Sequence, residues 1–403
     1  MNSCEIPLLD LRSIPAGEPA AETVLVLAPC YYARFPSETI WQRLRVLARL
    51  GPVHVLSYLP GPAERIAPPE GTALEKWPAT PAAALKFPGR VRQFAARRGG
   101  RGLIWTTPDY FCRRAAWAAA EATGWPVVVD VWDVPDLAAK NQMRDGRYLK
   151  ALAHRLLQRS LRADLERADL VIWTLHPEAA RFYFDPARAR VLYHKNGVQL
   201  SRLRRLIKTE PNGRRPSPLR LLYMGYFQAS RGSGLMVEMV GRLAGRLEVE
   251  LDVVGSTAPA AVAKAVAAIP QPLRAKIRLH GHLRWDEAMG FLDRSDICLY
   301  PFPRLPELDF IYPLKLLEYA AAGKWIVSSD LVGARELLEG YPRVVFLDPA
   351  SAIDWAEAVE ALAKARPAAQ PAGGSLERFD WERLNGVLEA QVRELLGARW
   401  GRS

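Results

Sequence analysis

Cysteine is scarce and scattered. Cys4, Cys30, Cys112 and Cys298 form no C-x-x-C pair. That spacing argues against a zinc site and against a disulfide framework, and it points to a reducing cytosol. Long apolar runs are missing too. None approaches the roughly 20 residues that a membrane-spanning helix needs, so the chain is expected to lie on a membrane at most and not to cross one. The first twenty residues mix acids and prolines with no continuous apolar core, unlike a secretory signal. Histidine is sparse, and His176, His194, His280 and His282 are not spaced as a metal cluster. No D-x-D motif accompanies a likely ligand-binding strand, so neither an essential metal nor a cofactor is expected. The glycines never fall in a G-x-G-x-x-G pattern, which weakens a nicotinamide-cofactor reading. Acidic residues are outnumbered: the net charge is +12. An excess of that sign suits an anionic ligand, nucleic acid or an anionic membrane surface.

What the chain does have is a repeated strand–helix rhythm. Thr23–Ala28, Val53–Tyr58, Leu103–Thr106, Val127–Val131, Leu170–Thr174 and Arg190–His194 read as buried parallel strands. Ser37 suits the N-cap of a helix running to Leu50, where Gly51-Pro52 stops it. Leu59–Pro88, rich in proline and glycine, is expected to carry little order. Ile207–Leu219 is polar and breaks the rhythm like a linker. The rhythm restarts with Arg220–Met224, Glu250–Val254, Lys276–His280, Ile297–Tyr300, Trp325–Ser328 and Arg343–Leu347. Ala363–Gly374 is a low-complexity break, and Trp381–Leu396 a last helix that Gly397 would end. The expected division is 1–206, a linker at 207–219, a second domain at 220–378 and a terminal helix at 379–403. Two α/β halves imply a cleft between them, a usual place for a ligand.

The most informative stretch is Asp296–Asp330. A strand ends at Tyr300, a proline-rich aromatic loop runs from Pro301 to Pro313, and an amphipathic helix and another strand follow. In doubly wound sheets ligands sit outside the carboxyl ends of strands. Lys315 and Glu318, three apart, share one face of the helix start and suit a ligand bearing phosphate and hydroxyl groups. Leu221–Phe227 is likewise a strand that runs into glycines. Ser230-Arg231-Gly232-Ser233-Gly234 then opens a helix, a turn that offers free N–H groups and one fixed charge to an anion.

Pro313, Lys315, Glu318 and Tyr319, followed by Ala322-Gly323, read P-x-K-x-x-E-Y…A-G. This resembles the donor-site signature of GT-B glycosyltransferases, most like the family-4 (glycosyl transferases group 1) type. The resemblance implies two Rossmann-like domains, with the last helix crossing back onto the first. It implies that Glu318 binds the donor ribose, and that Arg231, Gly232 and Lys315 hold its diphosphate. Arg231-Gly232 matches the K-G pair of that group with Arg for Lys, and Tyr226 stands where another cation is usual. Lys195-Asn196-Gly197-Val198 resembles its N-G-V-D near the interdomain hinge. An earlier Glu is usual eight positions before the ribose-binding one, and here that position is Phe310. Glu307 and Asp309 are close but out of register, so Glu307, Asp309, Phe310 and Tyr312 are assigned to the donor sugar and base loop.

Val127–Asp136 places Asp130, Asp133 and Asp136 at the end of a first-domain strand. A carboxylate there could take the acceptor hydroxyl's proton, or cap the next helix. An inverting branch resembling the xanthan-assembly glucuronosyltransferase has an Asp base in a comparable place, and Asp133 matches it best. Retention, favoured by the family-4 likeness, and inversion both stay open. Lys86–Arg101 carries Lys86, Arg90, Arg92, Arg97, Arg98 and Arg101 with no acid, and Phe87 and Phe94 between them; Lys140–Arg167 is also mainly basic. Basic plus aromatic suits anionic lipid headgroups, and it is also compatible with nucleic acid or with a merely solvated basic face. The expected partners are a nucleotide-sugar donor, expected to be a UDP-sugar, and a glycan or lipid-linked acceptor in surface polysaccharide assembly. The expected place is the cytoplasm or the inner face of its membrane. A GT-B nucleotide-sugar epimerase is the second enzyme reading. A nucleic-acid-binding protein is the reading from another class, but no recognition module supports it.

Overall fold

A computed structural model describes residues 20–33, 38–61, 65–75, 82–144, 146–207, 218–255, 259–365 and 374–401. The expected lead-in, the Ser37 cap and most of the 207–219 linker lie outside the described residues, as does most of the 363–374 break. The chain forms two compact units. One runs to Lys195 and resumes at Trp381; the other is Asn196–Asp380.

The first unit holds a seven-stranded sheet in the order β3-β2-β1-β4-β5-β6-β7. Its strands are β1 (Thr23–Leu27), β2 (Val53–Leu56), β3 (Thr72–Glu75), β4 (Gly102–Thr106), β5 (Val127–Val131), β6 (Leu170–Trp173) and β7 (Val191–Tyr193). All pairings are parallel. β1, β4 and β5 are buried along their whole length, which is why they read as continuous apolar runs. β3 falls wholly, and the helix Ala83–Arg98 partly, in the stretch expected to lack order. β3 is an edge strand, partly exposed and paired only with β2, so it carries no apolar run to betray it. His54 Nδ1 lies 2.8 Å from Glu75 and ties it on. The helix encloses Pro88, which cannot donate a helix hydrogen bond. Fully buried Phe87, Val91 and Ala95 hold it down regardless.

Helix Thr39–Leu47 ends three residues before the expected Leu50. It packs with the final helix over one face of the sheet, Ile40, Leu44 and Leu47 meeting Leu388, Val392 and Leu396 in one cluster. The final helix, Trp381–Trp400, runs through Gly397. Trp400 packs on that cluster and Arg399 donates to the Gly124 carbonyl at 2.9 Å, so the last turn is kept. The stop falls on Gly401, at φ 78°.

A buried polar knot lies under the ends of these strands. Arg43 donates to Asp130 (2.9 Å) and Thr174 (3.2 Å) and meets His194 Nδ1 (3.0 Å). Arginine only donates, so Nδ1 accepts, and His194 Nε2 carries the proton toward the Leu384 carbonyl at 2.9 Å. Burial, and then Arg43, push the His194 pKa down to about 3, so the ring is neutral. His194 is therefore structural, and Asp130 is an ion-pair partner rather than a free carboxylate.

The second unit is a six-stranded sheet in the order β10-β9-β8-β11-β12-β13. Its strands are β8 (Leu219–Met224), β9 (Val249–Val254), β10 (Ile277–Leu279), β11 (Ile297–Tyr300), β12 (Trp325–Ser329) and β13 (Val344–Leu347). All six lie where the apolar runs placed them, within a residue or so at each end. From β8 the chain steps one way across the sheet, and from β11 the other. The β8/β11 boundary is thus the topological switch point, whose carboxyl end is the usual ligand crevice of such sheets.

Candidate functional site

Two turns meet at that crevice. After β8 the chain passes Gly225 and a short turn, Ala229–Arg231, and enters helix Ser233–Leu243 through Gly232. After β11 it passes Pro301–Pro313 and enters helix Leu314–Ala321. Arg231 comes from the first turn and Lys315 from the second. Both lie against one ring: the Arg231 guanidinium is 4.7 Å from the centre of Phe302, and the Lys315 ammonium 5.0 Å. Lys315 also sits 4.9 Å from Tyr223 and 5.9 Å from Tyr300, and the Tyr300 and Phe302 rings stack at 4.2 Å. Neither cationic side chain has a hydrogen bond or ion pair among the described residues. Aromatic faces offer such cations part of the stabilisation an anion would give. Burial first, and Arg231 second, press the Lys315 pKa down to about 7, against the pull of Glu318. Two like charges that no ion pair neutralises among the described residues, at a helix start and a switch point, suit a multiply charged anion.

Glycine is required in the first turn. Gly232 has φ 83°, and a Cβ there would strike the Pro301 carbonyl oxygen. Gly225 has φ 149°, and a Cβ would lie 2.5 Å from the Lys315 ammonium and 2.8 Å from the Tyr223 hydroxyl. Gly232→Ala should therefore lower the melting temperature by several degrees, since strain at such a position costs about 1–3 kcal/mol before the clash is counted. Gly290→Ala, in helix Trp285–Arg294 with open space around it, is the matched control and should be neutral or stabilising. Equal melting of the two variants would remove the close-approach argument.

Glu318 is buried, and its Oε1 accepts a 2.7 Å hydrogen bond from Trp285 Nε1. Burial raises its pKa to about 7, against the Trp285 bond and Lys315. Trp285 is in turn covered by the Arg202 guanidinium at 4.6 Å, itself held by Asp286 at 2.8 and 3.0 Å. Tyr319 explains the residue after the glutamate in the motif: its hydroxyl accepts the Met224 N–H at 2.8 Å and pins the helix to the end of β8. Trp285, Phe302 and Tyr223 were not singled out from sequence. Phe302 had a signal, an aromatic between two prolines at a strand's end; Trp285 had none.

The loop residues differ in their engagements. Pro306–Asp309 forms a helical turn. Asp309 Oδ1 accepts the Val332 N–H at 2.9 Å, at the start of helix Val332–Leu337. Tyr312 is buried, its hydroxyl bonded to Glu336 and its carbonyl to Asn196 Nδ2 at 2.9 Å. Asn196, of the N-G-V motif, thereby fastens this loop. Glu307 is buried and Phe310 half-buried.

In the first unit Asp133 is exposed just after β5, one oxygen accepting the Val134 N–H at 2.8 Å. It lies close enough to Tyr32 that burial, Glu38 and Asp133 together raise that hydroxyl's pKa. Asp136 instead accepts from Tyr183 at 2.6 Å and pairs with Lys140 at 3.1 Å, at the start of helix Leu137–Arg144. Of the aromatics interleaved in Lys86–Arg101, Phe87 is fully buried and so is no surface anchor, while half-buried Phe94 packs edge-on against His54 at 5.4 Å. No helix among the described residues is long and apolar enough to cross a membrane, and no group of three or more His, Cys, Asp or Glu among them could hold a metal ion.

Comparison with known proteins bears on the fold and the enzyme class. Residues 218–365 match the family described as Glycosyl transferases group 1, so the second unit carries a glycosyltransferase domain, the enzyme class expected from the motif. No curated protein matches the sequence. Solved structures show the GT-B fold over nearly the whole chain. Sucrose-phosphate synthase from Thermosynechococcus elongatus superposes with TM-score 0.71 at 17% identity, covering 94% of this chain and 100% of that one. The trehalose-phosphate synthase (UDP-forming) of Burkholderia vietnamiensis gives 0.65 at 14%, over 94% and 100%. HepE of Anabaena, in complex with UDP-glucose, gives 0.63 at 14%, over 93% and 99%.

Proposed function

We propose that the protein moves a sugar from a UDP-sugar to an acceptor hydroxyl. One observation carries the reading: Arg231 and Lys315, with no ion pair among the described residues, converge on Phe302 from the two sides of the switch point. A diphosphate is the anion that two such cations and a helix start accommodate together. As the bond from the anomeric carbon to the diphosphate breaks, negative charge grows on the leaving oxygen, and these cations stabilise it in place. Glu318, with Oε1 engaged by Trp285, keeps its second oxygen for the ribose hydroxyls. The HepE complex with UDP-glucose supports the choice of base. Asp133 is the proposed general base: it takes the proton from the acceptor hydroxyl as the oxygen attacks, and UDP leaves. We place the acceptor on a lipid carrier in surface polysaccharide assembly, the basic first unit being the support for that step.

The pH dependence of UDP-sugar binding tests the pair. The diphosphate diester of a UDP-sugar does not titrate near neutrality, so the slopes belong to the protein. Lys315 grips phosphate only when protonated, which holds below about pH 7. Affinity should therefore fall as pH rises above that value, by up to about tenfold per unit. Glu318 accepts from ribose when ionised, which holds above about pH 7. Affinity should therefore also fall as pH drops below it. The result is a bell centred near neutrality. Lys315→Arg should flatten the alkaline limb and Glu318→Gln the acid limb; a profile flat in the wild type would contradict both roles.

A further inference from the structure

One helix of the first unit is turned inside out. Tyr148–Leu157 buries only Ala151, while Tyr148, Leu149, Leu152 and Leu156 expose 68%, 84%, 55% and 46% of their surface. Leu149, Leu152 and Leu156, three and four apart, lie on one helix face. Arg147, Lys150, Arg155, Arg159 and Arg162 are all exposed around that stripe. No Asp or Glu occurs from Arg147 to Arg162, and none of these five cations has an ion pair among the described residues.

The rest of the fold says where this helix sits. The connections β3 to β4, β4 to β5 and β5 to β6 step the same way across the sheet. Right-handed crossovers therefore put Ala83–Arg98, Tyr110–Thr123 and Tyr148–Leu157 on one face, opposite Thr39–Leu47 and the final helix. Arg113 of the middle helix reaches Gln158 Oε1 at 2.9 Å and fixes the end of the exposed one. On that same face Leu85 is 76% exposed, beside exposed Lys86 and Arg92.

We propose that this face docks on an anionic lipid bilayer. Leu149, Leu152 and Leu156 enter the acyl boundary, and the surrounding Arg and Lys side chains meet the headgroup phosphates. An apolar stripe rimmed by cations, with no acid, is complementary to such a surface. Ten residues span about 15 Å, enough to lie in the interface and too short to cross it. The proposal deepens the reading of a lipid-carried acceptor and rests on it. It also takes over from Lys86–Arg101, whose Phe87 is buried in the core, as the source of apolar anchorage.

Vesicle flotation of the whole chain is the test, with pure phosphatidylcholine vesicles against vesicles that also contain phosphatidylglycerol. The wild type should float with the second and not the first, and salt should release it. Leu149→Ser, Leu152→Ser and Leu156→Ser together should cut flotation at least about tenfold, because each buried side chain is worth roughly that much in transfer. The three side chains are exposed, so melting and UDP binding should not change. Unchanged flotation of the triple variant would overturn the assignment to this helix, and so would equal flotation with both vesicle types. A wild-type dimer that the triple variant converts to monomer, without flotation, would make the face a contact between copies instead. UDP binding is read without vesicles, so failure here leaves the donor site standing, and failure there leaves the docking face.

Discussion

Replacing Arg231 and Lys315 together by alanine should weaken UDP binding by about 10²–10³-fold. A charge-assisted hydrogen bond to a buried anion is worth about 1.5–3 kcal/mol, or roughly ten- to a hundredfold each. The side chains share one ring and one ligand, so their losses will not simply multiply. The double variant should not be less stable without ligand. In the free protein the two cations repel each other, and Lys315 is already pushed toward its neutral form, so their removal relieves strain. The expected signature is an unchanged or raised melting temperature without UDP and a lost rise with it. A variant that melts lower yet binds UDP as tightly as the wild type would make the pair structural.

Asp133→Asn should lower turnover by about 10²–10⁴-fold with little change in UDP affinity. The amide keeps the size of the side chain and can still accept the Val134 N–H through its oxygen, so folding should survive. What is lost is the capacity to take a proton. Asp136→Asn is the informative neighbour: that residue is bonded to Tyr183 and Lys140, and its change should show in melting rather than in turnover. A loss of less than tenfold for Asp133→Asn, with product retaining the donor's anomeric configuration, would remove the base and favour a retaining transfer.

The sheets were legible in the sequence because parallel strands covered on both faces read as near-continuous apolar runs, as β11 does, and β5 does apart from the ion-paired Asp130. β3 was not, since an edge strand with one partner needs no such run. Pro88 and Gly397 misled for one reason: local propensity was outweighed by packing, through Phe87 and Val91 at the first and Trp400 at the second. The site divides in the same way. Lys315 and Glu318 stand out as charges in an otherwise apolar helix, and Arg231 as one in a glycine-rich turn. Trp285 lies 33 residues from the Glu318 that it bonds, and no local pattern connects them. The exposed leucines of Tyr148–Leu157 were equally hidden, because a helix stripe facing solvent and one facing the core read alike in sequence.

Calorimetric titration of the wild-type protein with UDP and with uridine is the most direct test of the cation pair at the switch point. The account predicts that UDP binds and that uridine, which keeps the base and ribose but lacks the diphosphate, binds at least about a hundredfold more weakly. Equal affinity for the two, or no binding of UDP by a folded protein, would contradict it.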